Sequence, residues 1–196
     1  RLDDFFSDDS SDAKNRVYPG FCRGKFVTTD KPHAVRVKIN PYQLTFNDGL
    51  QGVIGHNLAV QDGDFILKRK DGIFAYQFAV VIDDDLQKIN HVVRGCDLLS
   101  ETPKQIFLQH TLGFSTPTYT HVPVVVDDRG YKLSKQTLAR EVDSQSPNKT
   151  LFDLLVLLKQ NPPQELNGTT VSELLEWAIK HWRPDGLGLS KSIKSD

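Results

Sequence analysis

Gly130-Tyr131-Lys132-Leu133-Ser134-Lys135-Gln136 places two lysines around a small hydroxyl residue, directly after a glycine. Two ammonium groups on a loop past a strand end can hold a polyphosphate, with Lys132 and Lys135 as point charges and Ser134 as a hydroxyl donor; taken alone, the pattern equally fits an ordinary solvated loop. Their effect is largest where negative charge develops during phosphoryl chemistry. Upstream, Arg94-Gly95 follows a short apolar run. A guanidinium there can grip a carboxylate with two parallel hydrogen bonds, and the glycine lets backbone approach closely. An ion pair between Arg94 and Asp97 is the structural alternative. Cys22 alone makes no metal site, because zinc usually takes four ligands, and a buried thiol in a turn remains open for it. Cys96 has no activating base in its neighbourhood and is not read as a nucleophile. His91 and His121 read as structural. Asp83-Asp84-Asp85 reads as an acidic helix end in preference to a magnesium site.

Several elements must position these groups. Val122 to Val126 reads as a buried strand that Asp127-Asp128-Arg129-Gly130 turns into the lysine loop. Ile89 to Val93 reads as a short buried strand delivering Arg94-Gly95 to its C-terminal end, where open α/β sheets bind ligands. Phe74 to Leu86 carries Phe74, Phe78, Val81 and Ile82 at helical spacing, with Tyr76 near its start. That tyrosine can serve as a core residue with a satisfied hydroxyl. Thr102-Pro103-Lys104-Gln105 reads as a capped helix start, and Gly113 as its end. Earlier, Ala34 to Ile39 alternates as a strand with one wet face. Asn47-Asp48-Gly49 signals a hairpin with Val53-Ile54 returning, and Phe65 to Arg69 is a further strand. Two helices close the chain: a mostly buried one over Leu151 to Leu158 opened by Ser146-Pro147, and one capped by Thr170 and Glu173. A frayed polar tail is expected after Gly186.

The 196 residues suffice for one domain, or one domain and an appendage. Hydrophobic content of 38% and charged content of 25% are ordinary for a globular protein, and no apolar run is long enough to cross a bilayer. Net charge is -1, so any attraction for nucleic acid must come from local basic groups. Two cysteines make no disulfide framework, so a reducing cytoplasm is expected. The chain has no methionine and opens on an acidic, serine-rich stretch over Arg1 to Arg16, which suggests that an N-terminal portion is missing.

In order and spacing, Asp71 to Asp84, Asn90 to Leu99 and the lysine loop resemble class I glutamyl-tRNA synthetases, from about Tyr18 to Trp182. Lys132 to Gln136 is similar to their KMSKS loop. The resemblance is nearer to the glutamyl-Q branch, which lacks an anticodon-binding domain. Arg94-Gly95-Cys96-Asp97-Leu98-Leu99 has the glutamyl-Q form, with cysteine for its usual alanine. The ordinary enzymes read Arg-Gly-Glu-Asp-His here, and arginine where Gln136 stands. The resemblance implies an α/β fold, the second half of a class I Rossmann-like nucleotide-binding domain. Its implied parts are a zinc-segment remnant over 1–33, a β-containing insert over 34–70, the catalytic half over 71–140 and a helical tail over 141–196. It implies ATP with Mg2+ at Lys132, Ser134 and Lys135, and the substrate glutamate at Tyr76 and Arg94. Tyr18 and Cys22 would be half of a Zn2+ site whose other ligands lie upstream of Arg1. The implied reaction activates glutamate with ATP and transfers it to the queuosine base of tRNA(Asp), in the cytoplasm, by a monomer. A fragment of an enzyme charging tRNA(Glu), and a non-catalytic paralogue binding tRNA or a protein, are the alternatives. The His-Ile-Gly-His-type ATP motif does not occur in this sequence, so the chain alone is expected to be poorly active.

Overall fold

A computed structural model describes residues 17–25, 31–133 and 141–194. The expectations for residues 1–16 and for Ser134, Lys135 and Gln136 lie outside the described residues. The chain divides into two compact units. One comprises Arg1–Phe46, Val53–Asn90 and Ser100–Pro117; the other comprises Asn47–Gly52, His91–Leu99 and Thr118–Asp196.

In the first unit, β1 (Val35–Arg36) pairs antiparallel with β4 (Ile66–Lys68). The strand expected over Ala34 to Ile39 is thus only two residues long. Val37 still donates to the Phe65 carbonyl at 3.0 Å, but the Ile39 amide turns to the Asp64 carboxylate at 2.8 Å instead of to a strand. The hairpin of β2 (Gln43–Asp48) and β3 (Gly52–Asn57) turns at Gly49–Gln51, leaving Asp48 as the last residue of β2. Asn57 then caps α1 (Leu58–Gln61), accepting from the Val60 amide at 3.2 Å.

Helix α2 (Tyr76–Leu86) begins later than its apolar spacing suggests. Phe74 is held extended by a bridge to Lys68, and its ring is exposed, so it does not join the core. Val81 is the fully buried residue of α2. Helix α3 (Thr102–Leu112) ends at Gly113, whose φ of 72° is the left-handed cap geometry that favours glycine. Its start differs from expectation. A 3-10 turn over Cys96–Glu101 runs straight into it, so Thr102 is already helical and Glu101 holds the cap position without a side-chain bond. Gln105, expected to reach back to the cap, is buried instead. The core here comprises Ile39, Leu44, Leu58, Phe65, Val81, Ile106 and Leu108. Burying side chains of this size contributes about 1.5–3 kcal/mol each.

The second unit holds β5 (His91–Gly95) and β6 (Thr118–Val122), which run parallel in register, with Arg94 opposite His121. β2 ends parallel to β6, and the strand order is β3-β2-β6-β5. β5 is therefore an edge strand with Val93 60% exposed, not the buried strand its apolar run suggested. Pro123 cannot donate to a ladder and breaks the expected strand. Val124–Val126 leaves as β7 and pairs in parallel with β8 (Ser192–Lys194). The C-terminal segment is thus no frayed tail: Ile193 adds to this small sheet and Leu187 is 2% exposed.

Helices α4 (Pro147–Leu157) and α5 (Val171–His181) pack through Phe152, Leu155 and Leu174. The α5 capping box between Thr170 and Glu173 forms as expected. Ser146 takes the α4 cap position with no side-chain bond. Leu154 and Val156 are exposed, so α4 buries one face rather than most of its surface.

Candidate active site

Three parallel strands end side by side in the second unit. Asp48 is the last residue of β2, His121 the penultimate residue of β6, and Arg94 the penultimate residue of β5. Because the strand order is β2-β6-β5, these three side chains form a row along the carboxyl edge. Such edges are where open α/β sheets take ligands.

Asp48 Oδ2 lies 2.6 Å from His121 Nδ1, and both side chains are fully buried. Asp48 Oδ1 accepts three amides: Gln51 at 2.9 Å, Leu50 at 3.1 Å and His121 at 3.1 Å. The chain turns away after Asp48, so its carboxylate takes the His121 amide that a longer β2 would have paired. Burial alone would raise the Asp48 carboxyl, but these hydrogen bonds outweigh it and hold the group below its ordinary range. Burial lowers His121, partly offset by Asp48, so its imidazole is neutral at neutral pH. Gln51 Nε2 donates to the carbonyls of His121 at 3.0 Å and Ser190 at 3.1 Å.

Arg94 Nε donates to His121 Nε2 at 3.0 Å, and one of its Nη atoms approaches the Leu98 carbonyl at 3.4 Å. Its guanidinium lies 5.5 Å from the Tyr119 ring centroid. A Cβ on Gly95 would meet the Asp97 carboxylate and press on Val124, so a side chain there requires Asp97 to move. The close approach expected of this glycine is therefore made by Asp97. Burial pushes the Cys96 thiol up, consistent with its being no nucleophile.

The turn after β7 forms as its sequence indicated. Asp127 accepts the amides of Tyr131 at 2.8 Å and Arg129 at 3.0 Å, and Gly130 has φ 82°. The return brings Lys132 beside Val126, with Nζ 2.6 Å from Asp97 Oδ2. The ion pair found at Asp97 is thus with Lys132. Arg94 and Lys132, 38 residues apart in the chain, reach the same Cys96–Glu101 turn.

The remaining candidates lie in the first unit. Tyr76 opens α2 and is exposed rather than a core residue. Tyr18 accepts the Cys22 amide through its hydroxyl at 3.0 Å. A hydrogen bond with the Cys22 side chain, more than burial, raises the Tyr18 phenol. The two donors are therefore adjacent in one turn. Cys22 is exposed, not a buried thiol. Arg23, paired with Asp64, anchors that turn, and Arg36 stacks 4.2 Å above the Tyr18 ring. Among the described residues no group of three or more His, Cys, Asp or Glu is disposed to hold a metal ion, and no helix is long and apolar enough to cross a membrane.

Sequence reasoning missed the partnership of Asp48 with His121. Asp48 sits inside a turn signature that accounts for it locally, and 73 residues separate the pair. The usable signal was weak: a histidine just before the proline that ends a strand.

Residues 8–165 match the family described as tRNA synthetases class I (E and Q), catalytic domain. The chain belongs to this family, and its α/β architecture with parallel strands is that of the catalytic domain. More particularly, it is similar to the glutamyl-Q tRNA(Asp) synthetase of Thiobacillus denitrificans, 48% identical over 166 residues covering 85% of this chain and 55% of that protein. It is also similar to the enzyme of that name from Pseudomonas aeruginosa, 40% identical over 85% of this chain and 56% of that protein. The chain spans about half the length of the curated relatives it matches. A solved glutamate tRNA ligase from Elizabethkingia meningosepticum, in complex with its amino acid, shares the fold with TM-score 0.63 and 22% identity. That match covers 84% of this chain and 36% of the ligase.

Proposed function

We propose that the protein carrying this chain activates glutamate with ATP and transfers it to the queuosine base of tRNA(Asp). The observation that carries this reading is Arg94 at the carboxyl end of β5, with Lys132 reaching Asp97 on the turn that follows: a carboxylate grip beside a cation suited to phosphate. The relatives' names supply the particular amino acid and acceptor.

In the first step a glutamate carboxylate oxygen attacks the α-phosphorus of ATP. The new P–O bond displaces pyrophosphate and leaves glutamyl-adenylate. Arg94 and Tyr76 hold glutamate in this scheme; Lys132, Ser134 and Lys135 stabilise charge on the phosphates as it moves to the leaving group. Mg2+ would accompany ATP and screen its charge. In the second step a queuosine hydroxyl attacks the activated carbonyl, forming an ester, releasing AMP and losing its proton to solvent. Tyr18 and Cys22, adjacent in one turn, fit half of a zinc site, which needs two further donors. The working place is the cytoplasm and the working form a monomer.

ATP-dependent labelling of tRNA with radioactive glutamate by the full-length protein tests this. Label on tRNA(Asp) that contains queuosine, and none on tRNA(Asp) lacking it, supports the reading; charging of tRNA(Glu) instead overturns it. Lys135→Ala should cut pyrophosphate exchange at least ~100-fold while changing glutamate affinity little, as expected for a contact made in the transition state.

A further inference from the structure

Arg94 Nε always carries a hydrogen, so at 3.0 Å from His121 Nε2 it must be the donor. His121 Nε2 is then the acceptor, and the ring proton resides on Nδ1, where it is donated to Asp48 at 2.6 Å. One tautomer is thereby selected, and each link has a defined direction. Asp48 cannot rotate, since three amides fix its other oxygen. His121 is further held through its carbonyl by Gln51 Nε2 at 3.0 Å and Cys96 Sγ at 3.4 Å. The Tyr119 ring lies nearly parallel to the imidazole, at 14°, and also near Arg94. The guanidinium plane is therefore set from behind by Nε and from one side by an aromatic ring.

The geometry points to Asp48 and His121 as positioning residues that orient the Arg94 guanidinium for the carboxylate of the amino-acid substrate. Two-pronged binding of a carboxylate depends on the plane of the fork, so a guanidinium turned out of that plane loses contact without losing charge. A row across three strands achieves this, because a rigid sheet holds the separations fixed. The inference rests on the proposal that Arg94 receives glutamate.

Two substitutions separate positioning from mere support of a buried carboxylate. In His121→Asn the amide can replace Nδ1–H and keep the bond to Asp48, but the acceptor that His121 Nε2 gave to Arg94 Nε is lost. In His121→Gln the longer side chain can set its oxygen near the Nε2 position and accept from Arg94, at the expense of Asp48. Binding of L-glutamate should be measured by calorimetry, melting by scanning calorimetry, and the Arg94 Nε–H by 15N NMR without ligand. We expect His121→Asn to weaken glutamate about 10-fold or more, the worth of a charge-assisted hydrogen bond, and to lose the slowly exchanging Nε–H signal. His121→Gln should stay within about 3-fold of wild type, although it melts lower than His121→Asn. Glutamate affinity that follows melting temperature, with Asn better than Gln, would overturn the inference. Should both variants fail to fold, the wild-type protein decides: a proton on His121 Nε2 refutes the relay, and one on Nδ1 supports it. Unchanged glutamate affinity in Arg94→Ala would instead refute the glutamate assignment, while the ligand-free Nε–H signal still judges the relay.

Discussion

In the second unit, Asp48 meets His121 and Asp97 meets Lys132 at the same 2.6 Å. Equal distance hides unequal physics. The first pair is 0% exposed on both sides, and its carboxylate accepts four hydrogen bonds. The second is 51% and 37% exposed, so water and salt compete for both charges. A surface ion pair is worth about 0–1 kcal/mol, whereas stranding a buried donor or acceptor costs about 1–3 kcal/mol, more for a charged group. One contact fixes a geometry; the other can be exchanged for a ligand at little cost. Under the proposed function, a lysine that turns to phosphate needs the second kind, and an arginine held in one plane needs the first.

The sharpest way to break this contrast is Asp48→Ala. It orphans the buried His121 Nδ1–H and three amides, so stability should fall by about 3 kcal/mol or more, roughly 6–12 °C in melting temperature for a domain of this size. A smaller shift than Asp97→Ala produces would invert the comparison.

Acidification should act next. His121 is depressed in the fold, so below about pH 6.5 the unfolded chain binds a proton that the folded one resists. Stability should therefore decline as pH falls from about 6.5 toward the folded value. It should decline again below about pH 4, as the depressed Asp48 is protonated in the unfolded state first. Melting temperature against pH checks both steps, and His121→Asn should erase the upper one.

The smallest effect belongs to Asp97→Asn. Loss of its ion pair with Lys132 should shift stability by less than ~1 kcal/mol, with a still smaller difference at high salt. Urea denaturation at two ionic strengths checks it.

Much of the local chemistry was legible in the sequence. The Asp127–Gly130 turn, the Gly113 cap and the Thr170–Glu173 capping box depend on residues a few positions apart, and all three form. The delivery of Arg94 to a strand end was also legible, because strand direction fixes it. What escaped depends on neighbours distant in the chain. That β5 lies at an edge is decided by which strands pair, not by its own apolar run. The 3-10 turn before α3 overrode a sound capping signature at Thr102 because the chain was already helical on arrival. The row of Asp48, His121 and Arg94 required three strands to be laid side by side.

Pro123 passes the chain from the larger sheet to the strand pair β7–β8, and the lysine turn springs directly from β7. The brace beneath that turn is therefore built from residues 192–194, with Gln51 reaching back to Ser190. A cut after Gly188, or a change that peels Ile193 away, would unseat the Asp127–Lys132 turn without altering any residue in it. Expression vectors for activity work should leave this seam undisturbed.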